Sequence, residues 1–209
     1  ADMTFGTVTG EDGQQVPLTH GNYITFMESQ DRGVRKAAFT NMYEAYKKLN
    51  NTLATNYNYN AKTDVVSARI RKYDSAASAA LSSGNIPMDV YRNLIKEVHN
   101  YLPVVHRYIE LRKKVLGVDH LRMYDVYVPL VAAPKKKISF EEAVEIMAEG
   151  LAPLGSEYIR QVRRGIESGW VDVYENQGKT SGAYSFGAYD SMPYILLNYT
   201  DTLKDVFTI

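Results

Sequence analysis

Four histidines, His20, His99, His106 and His120, have the widest chemical repertoire at neutral pH in this chain. His99 and His106 are seven residues apart, which on a helix puts them on one face but about 10 Å apart along the axis. Helical histidines that share one metal ion stand four apart, as in H-E-x-x-H. His20 falls at a helix start and His120 in a loop, neither with a histidine or carboxylate partner at a recognisable spacing. The absence of cysteine excludes a thiolate nucleophile, a Cys-ligated metal and a disulfide framework. Gly182-Ala183-Tyr184-Ser185-Phe186-Gly187 has one residue too many for the G-x-S-x-G turn that presents a nucleophilic serine. No G-x-G-x-x-G loop is present, and the paired carboxylates Glu141 and Glu142 open a helix, where capping accounts for them. The expectation is no catalytic residue and no metal ligand in these 209 positions.

Composition narrows the partners. Lysine plus arginine is 24, balanced by 24 aspartates and glutamates, and a nucleic-acid binder would carry a basic excess. The run Lys135-Lys136-Lys137 reads as a solvated connector, so no nucleic acid is expected. No apolar stretch is long enough to cross a bilayer, so no membrane is expected either. The start, Ala1-Asp2-Met3-Thr4-Phe5, has neither the basic nor the apolar region of a signal peptide. It also lacks an initiator methionine, and the end, Asp205-Val206-Phe207-Thr208-Ile209, carries no stop signal; both suggest a piece of something longer. Seventeen tyrosines against six phenylalanines suit helix surfaces or the walls of polar clefts.

The elements that would position these groups are mostly helices. Gly6, Gly10, Gly13 and Pro17 punctuate a hairpin with strands near Thr4–Val8 and Gln14–Val16. Thr19 offers a cap for a short helix over 20–28. Val34, Ala37, Ala38, Met42, Ala45 and Leu49 recur at helical period after Asp31, and the pattern continues through Leu53 toward Tyr57. Further helices are expected over 63–71 and 75–82. A long one begins after Pro87 and ends at Gly117, kinked at Pro103. Met123–Leu130 reads as extended. Ser139-Phe140-Glu141-Glu142 is an S-x-x-E capping box, Pro153 interrupts the helical region it starts, and Gly169 closes it. Strands are then expected at Val171–Tyr174, Gly182–Gly187 and Tyr194–Tyr199, with a turn at Asn176–Gly178 joining the first two. Asp201 or Thr202 can cap a last helix, with Asp205 in its first turn. The fold class is therefore mainly α with a small β-sheet near the C-terminal end.

Several blocks, in collinear order over nearly all the chain, resemble oligoendopeptidase F, a bacterial zinc metallopeptidase of the thimet oligopeptidase group. They are His20-Gly21-Asn22-Tyr23, Ser29-Gln30-Asp31-Arg32-Gly33-Val34-Arg35, Arg71-Lys72-Tyr73-Asp74-Ser75-Ala76, Leu102-Pro103 with His106-Arg107-Tyr108, and Tyr124-Asp125-Val126-Tyr127-Val128-Pro129-Leu130. The most specific run is Asp172-Val173-Tyr174-Glu175-Asn176, Gly178-Lys179, Ser181-Gly182-Ala183-Tyr184-Ser185 and Tyr194-Ile195-Leu196-Leu197-Asn198-Tyr199.

The resemblance implies a partial zincin-like catalytic domain, with 1–118 as its helical part. Residues 119–209 would form a partial catalytic subdomain holding the substrate-side sheet and the start of the active-site helix. In that family a segment like Thr202–Thr208 leads into H-E-x-x-H, which this chain does not contain. Zinc is thus implied in the intact parent and none in this piece, which is expected to be inactive alone. The parent would be a cytoplasmic enzyme hydrolysing internal bonds of short peptides, and this chain would pack against the parent's N- and C-terminal parts. The substrate-binding candidates are Gly182, Ala183, Tyr184 and Ser185, an edge strand that would pair with a peptide backbone. Small residues at 182 and 183 permit close approach. The competing reading is a non-catalytic helical module that binds a peptide or a protein. Tyr194–Tyr199, more apolar, reads as an interior strand.

Overall fold

The computed structural model describes residues 3–131, 137–176 and 178–208. Lys135, Lys136, Gln177 and Ile209, which figure in the readings above, lie outside them. The described residues form mostly helix with two small sheets, as the sequence leads one to expect. By contact the chain divides into two compact units, residues 1–42 with 127–209 and residues 43–126.

The first unit begins with an antiparallel hairpin, β1 (Thr7–Thr9) and β2 (Gln15–Pro17), in the register Val8 opposite Val16. Gly13, in the turn between the strands, takes positive φ, which glycine adopts at low cost. The loop to α1 (Tyr23–Met27) is pinned by Asn22, whose Oδ1 accepts the Thr19 N–H at 2.8 Å and whose Nδ2 donates to the Pro17 carbonyl at 2.9 Å. Helix α2 (Arg32–Lys48) buries Val34, Ala38 and Met42, and Phe5, Val8, Leu18 and Met27 are buried in the same unit. Asn41 donates to the Thr7 carbonyl at 2.9 Å and so ties α2 to the hairpin.

The second unit holds α3 (Asn50–Ile70), α4 (Ala76–Ser82) and α5 (Met88–Leu116). The expected break between Tyr57 and Thr63 does not occur. The helix stops at Leu49 and restarts at Asn50, then runs to Ile70, because no glycine or proline interrupts 50–70. Helix α4 has Ser75 as its cap, accepting the Ser78 N–H at 3.0 Å. Helix α5 continues through Pro103 and ends at Gly117 in the left-handed region, φ 63°. There the N–H of Val118 donates to the Lys113 carbonyl, a glycine C-cap. The extended segment expected at 123–130 is instead a 3₁₀ turn at Met123–Asp125 followed by bends. The cause is Asp125, fully buried, whose Oδ2 accepts the Arg122 N–H at 2.9 Å and folds the chain back. The buried Arg112 side chain on α5 donates to the Asp125 carbonyl at 3.0 Å.

The C-terminal part of the first unit carries α6 (Phe140–Gly150), a 3₁₀ turn at Ala152–Leu154 and α7 (Ser156–Glu167). Ser139 caps α6 by accepting the Glu142 N–H at 3.2 Å. Strands β3 (Val171–Tyr174), β4 (Tyr184–Phe186) and β5 (Tyr194–Tyr199) follow, then α8 (Leu203–Val206). The sheet order is β3-β5-β4, with β3 parallel and β4 antiparallel to β5. The turn near Asn176 therefore does not join two paired strands. The later, more apolar β5 inserts between them: its backbone is paired on both sides, and Leu197 and Tyr199, on one face, are buried. Its inner residues pack with Ile138, Phe140, Ala143 and Val144 against α6.

Candidate functional site

Strand β5 anchors the sheet. Tyr199 is buried, its hydroxyl donates to the Ile138 carbonyl at 2.8 Å, and its ring meets that of Phe140 edge-on at 5.7 Å. Burial, with the charges of Asp201 and Asp205 nearby, holds its phenol above the ordinary tyrosine range. Just beyond, Asp205 Oδ2 accepts from both the backbone N–H and the hydroxyl of Thr200 (2.9 and 2.6 Å) and of Thr202 (3.3 and 2.9 Å). Thr202 accepts the Asp205 N–H in return, so a capping box starts α8.

This anchored strand fixes how β4 is presented. The N–H of Ile195 donates to the Trp170 carbonyl at 2.8 Å, so Ile195 turns its backbone groups to the β3 side. Backbone groups of successive strand residues turn to opposite sides. Tyr194 and Leu196 therefore turn toward β4, where they stand opposite Phe186 and Tyr184. Ser185, between those two, turns its N–H and C=O to the open side of the sheet, and Ala183 shares that parity. Gly182, of the inward parity, has its carbonyl bonded to Asn198 Nδ2 of β5 at 2.8 Å. Asn198 Nδ2 also donates to the Thr180 carbonyl at 3.0 Å. Gly182 has φ 96°, a conformation that an L side chain rarely adopts, so the chain can bend there into β4.

All three residues of β4 are exposed. Tyr184 and Phe186 project on the side of the sheet away from α6, since their cross-strand partners alternate with the packed Ile195 and Leu197. Of the four residues singled out in the sequence, Tyr184 and Ser185 lie in the strand, whereas Gly182 and Ala183 lie just before it.

A cleft of about 290 Å³ adjoins this edge. Its walls include His20 and Gly21 from the loop before α1, Ser181, Gly182 and Ala183, and Leu197, Asn198 and Asp205. The His20 ring meets that of Phe5 edge-on at 4.6 Å. Gly21 approaches closely here. A Cβ at that position would overlap the Glu175 side chain and crowd Asn198 Oδ1. Lys179, its side chain 5 % exposed, donates to the carbonyls of Asp172 at 3.1 Å and Tyr174 at 2.6 Å, and lies 3.0 Å from Asp172 Oδ1. It clamps the loop between β3 and β4. Asn198, Lys179 and Gly21 stand in the blocks that carry the resemblance but are given no role by the sequence. A further signal for Asn198 was its being a lone asparagine inside the apolar run Ile195-Leu196-Leu197-Asn198-Tyr199.

Among the described residues no group of three or more His, Asp or Glu is placed to hold a metal ion. In the cleft, Asp205 Oδ2 is already held by the two threonines. These residues by themselves do not fit a zinc ion. No described helix is long and apolar enough to cross a membrane.

The chain is similar to known peptidases along its whole length. It is 49 % identical over 209 residues to the oligopeptidase PepF of Bacillus subtilis, covering all of this chain and 31 % of that protein. It is 46 % identical to the group B oligopeptidase PepB of Streptococcus agalactiae, covering 35 % of that one. The crystal structure of oligoendopeptidase-F from Enterococcus faecium matches 81 % of this chain and 32 % of its own, with a TM-score of 0.62 at 39 % identity. The chain thus spans about a third of the length of the relatives it matches. The model of peptidase family M3 matches residues 25–209, and the chain belongs to that family.

Proposed function

We propose that this chain is part of a zinc-dependent oligoendopeptidase that hydrolyses internal bonds of short peptides in the cytoplasm, and that it supplies the substrate edge of the peptide groove. The single observation that carries this is the outward parity of Ser185 on an exposed strand, with Ala183 just ahead of it at the rim of a cleft. A peptide laid along β4 would exchange N–H···O=C bonds with these two residues, which read backbone rather than side chains. Tyr184 and Phe186 would flank the side-chain pockets. Such recognition suits an enzyme that accepts many short sequences. Residues 1–118 would belong to the helical part of the peptidase domain and 119–209 to a partial catalytic subdomain. The zinc ligands, the water-activating carboxylate and the partner surfaces would come from other parts of the parent, against which this chain packs. The 209 residues alone would be inactive.

Metal content and peptide cleavage of this chain, measured beside the full-length protein, test the proposal. Zinc and cleavage are expected in the full-length protein alone. Stoichiometric zinc with turnover by the 209 residues would overturn it.

A further inference from the structure

We propose that Asn198 is a positioning residue for the substrate edge: its side-chain amide, through Thr180 and Gly182, sets where Ala183 and Ser185 present their backbone groups. The inference rests on the reading of 183–185 as that edge and adds the residue that aims it.

Three observations converge. Strand β4 is only three residues long, which gives it few ladder bonds of its own. The chain ahead of Tyr184 has left the ladder, and two of its carbonyls, Thr180 at 3.0 Å and Gly182 at 2.8 Å, are taken up by one donor group on the central strand. Both amide protons of Asn198 are thus spent, which fixes the orientation of the amide: nitrogen to the carbonyls, oxygen away from them. That oxygen, Oδ1, is buried and has no hydrogen-bond partner among the described residues. Leaving a buried amide oxygen unpaired is costly. The two carbonyl contacts offset that cost, which ties the amide to the segment leading into β4. Gly182 completes the device. Its φ of 96° turns the chain from the clamp into the strand, and a Cβ there would meet nothing within 4 Å.

The clamp touches neither the open N–H and C=O of Ser185 nor the reacting bond of a substrate. Its effect is on binding. If the edge is held in place before substrate arrives, the ordering cost is not charged to each binding event. Releasing the clamp weakens ground-state and transition-state binding alike, which raises KM and leaves kcat nearly unchanged. General damage to the fold lowers the active fraction and so lowers kcat at constant KM.

The test uses the full-length enzyme and a short fluorogenic peptide. Asn198→Asp keeps the shape but replaces the donor by an acceptor that faces two carbonyls. The expected result is a KM raised roughly tenfold, the order expected for two lost neutral hydrogen bonds, with kcat within about twofold. Gly182→Ala disturbs the same device through backbone conformation alone and should give the same split, which keeps the proposal testable if the first variant does not fold. A third variant, Ser185→Pro, removes the outward N–H and reports on the edge itself. If Ser185→Pro impairs kcat/KM while Asn198→Asp and Gly182→Ala leave KM at the parent value, the positioning role is wrong and the edge reading stands. If Ser185→Pro has no effect, the edge reading fails and the inference with it.

Discussion

Replacing Ser185 by proline separates the outer side of β4 from its inner side. The inner side carries the ladder: Tyr184 and Phe186 stand opposite Leu196 and Tyr194 with backbone groups turned toward β5. Proline at 185 removes only the N–H that points away from the sheet, a position that edge strands tolerate. The residue before it, Tyr184, is already extended, as a pre-proline residue prefers to be. The cost to folding should stay within about 1 kcal/mol, set by the adjustment of one φ angle. The effect on substrate is larger. One backbone hydrogen bond is lost, about 0.5–1.5 kcal/mol, and the ring obstructs the approach that the neighbouring C=O bond also needs. Losing both bonds amounts to about 1–3 kcal/mol, a fall in kcat/KM of roughly fivefold to a hundredfold. The assay is steady-state cleavage of a short peptide by the full-length protein, with thermal melts of the same preparations. Tyr184→Pro is the control: it removes a ladder bond, so it should lower the melting temperature more than Ser185→Pro does. Unchanged kcat/KM in Ser185→Pro, or equal thermal damage from the two prolines, would refute the parity argument.

Other consequences concern the frame around this edge. Gly165→Ala places a Cβ into the Trp170 ring, so the overpacking should cost about 1–3 kcal/mol, read as a lowered midpoint in urea. Ser139→Ala deletes the cap of α6 and should cost about 0.5–2 kcal/mol in the same titration, with Ser139→Asp restoring most of it. Asp205→Asn weakens an acceptor that serves two hydroxyls and two amides, so hydrogen exchange over 203–207 should accelerate severalfold. Tyr199 gives a pH test. Its folded-state pKa lies above the ordinary value of about 10, so its contribution is full below that pH and is lost as pH rises through the folded value. Melting temperatures followed into alkali should fall less steeply in Tyr199→Phe, and an equally steep fall in both proteins would count against burial of the phenol as the cause.

The sequence by itself determined what local rules determine. Gly117 ends α5 because a glycine takes left-handed backbone at low cost, and Ser139 caps α6 because its hydroxyl accepts one of the free amides a few residues on. The collinear blocks around Gly182–Ser185 and Tyr194–Tyr199 carried the family on residue identity. Only the tertiary structure decided strand order, since β5 enters between β3 and β4 to bury Leu197 and Tyr199, a choice made by packing partners more than fifty residues away at Ile138 and Phe140. It also decided that the chain turns at Asp125, where the sequence reads as extended, because the buried Arg112 side chain, thirteen residues earlier on α5, holds the Asp125 carbonyl. The candidate site divides the same way. The small residues at 182 and 183 were legible as such, and their role in binding a peptide remains the proposal above, but the contacts of Asn198, Lys179 and Gly21 were not legible. Each depends on which distant backbone or side chain the fold brings within reach, and no local pattern encodes that distance.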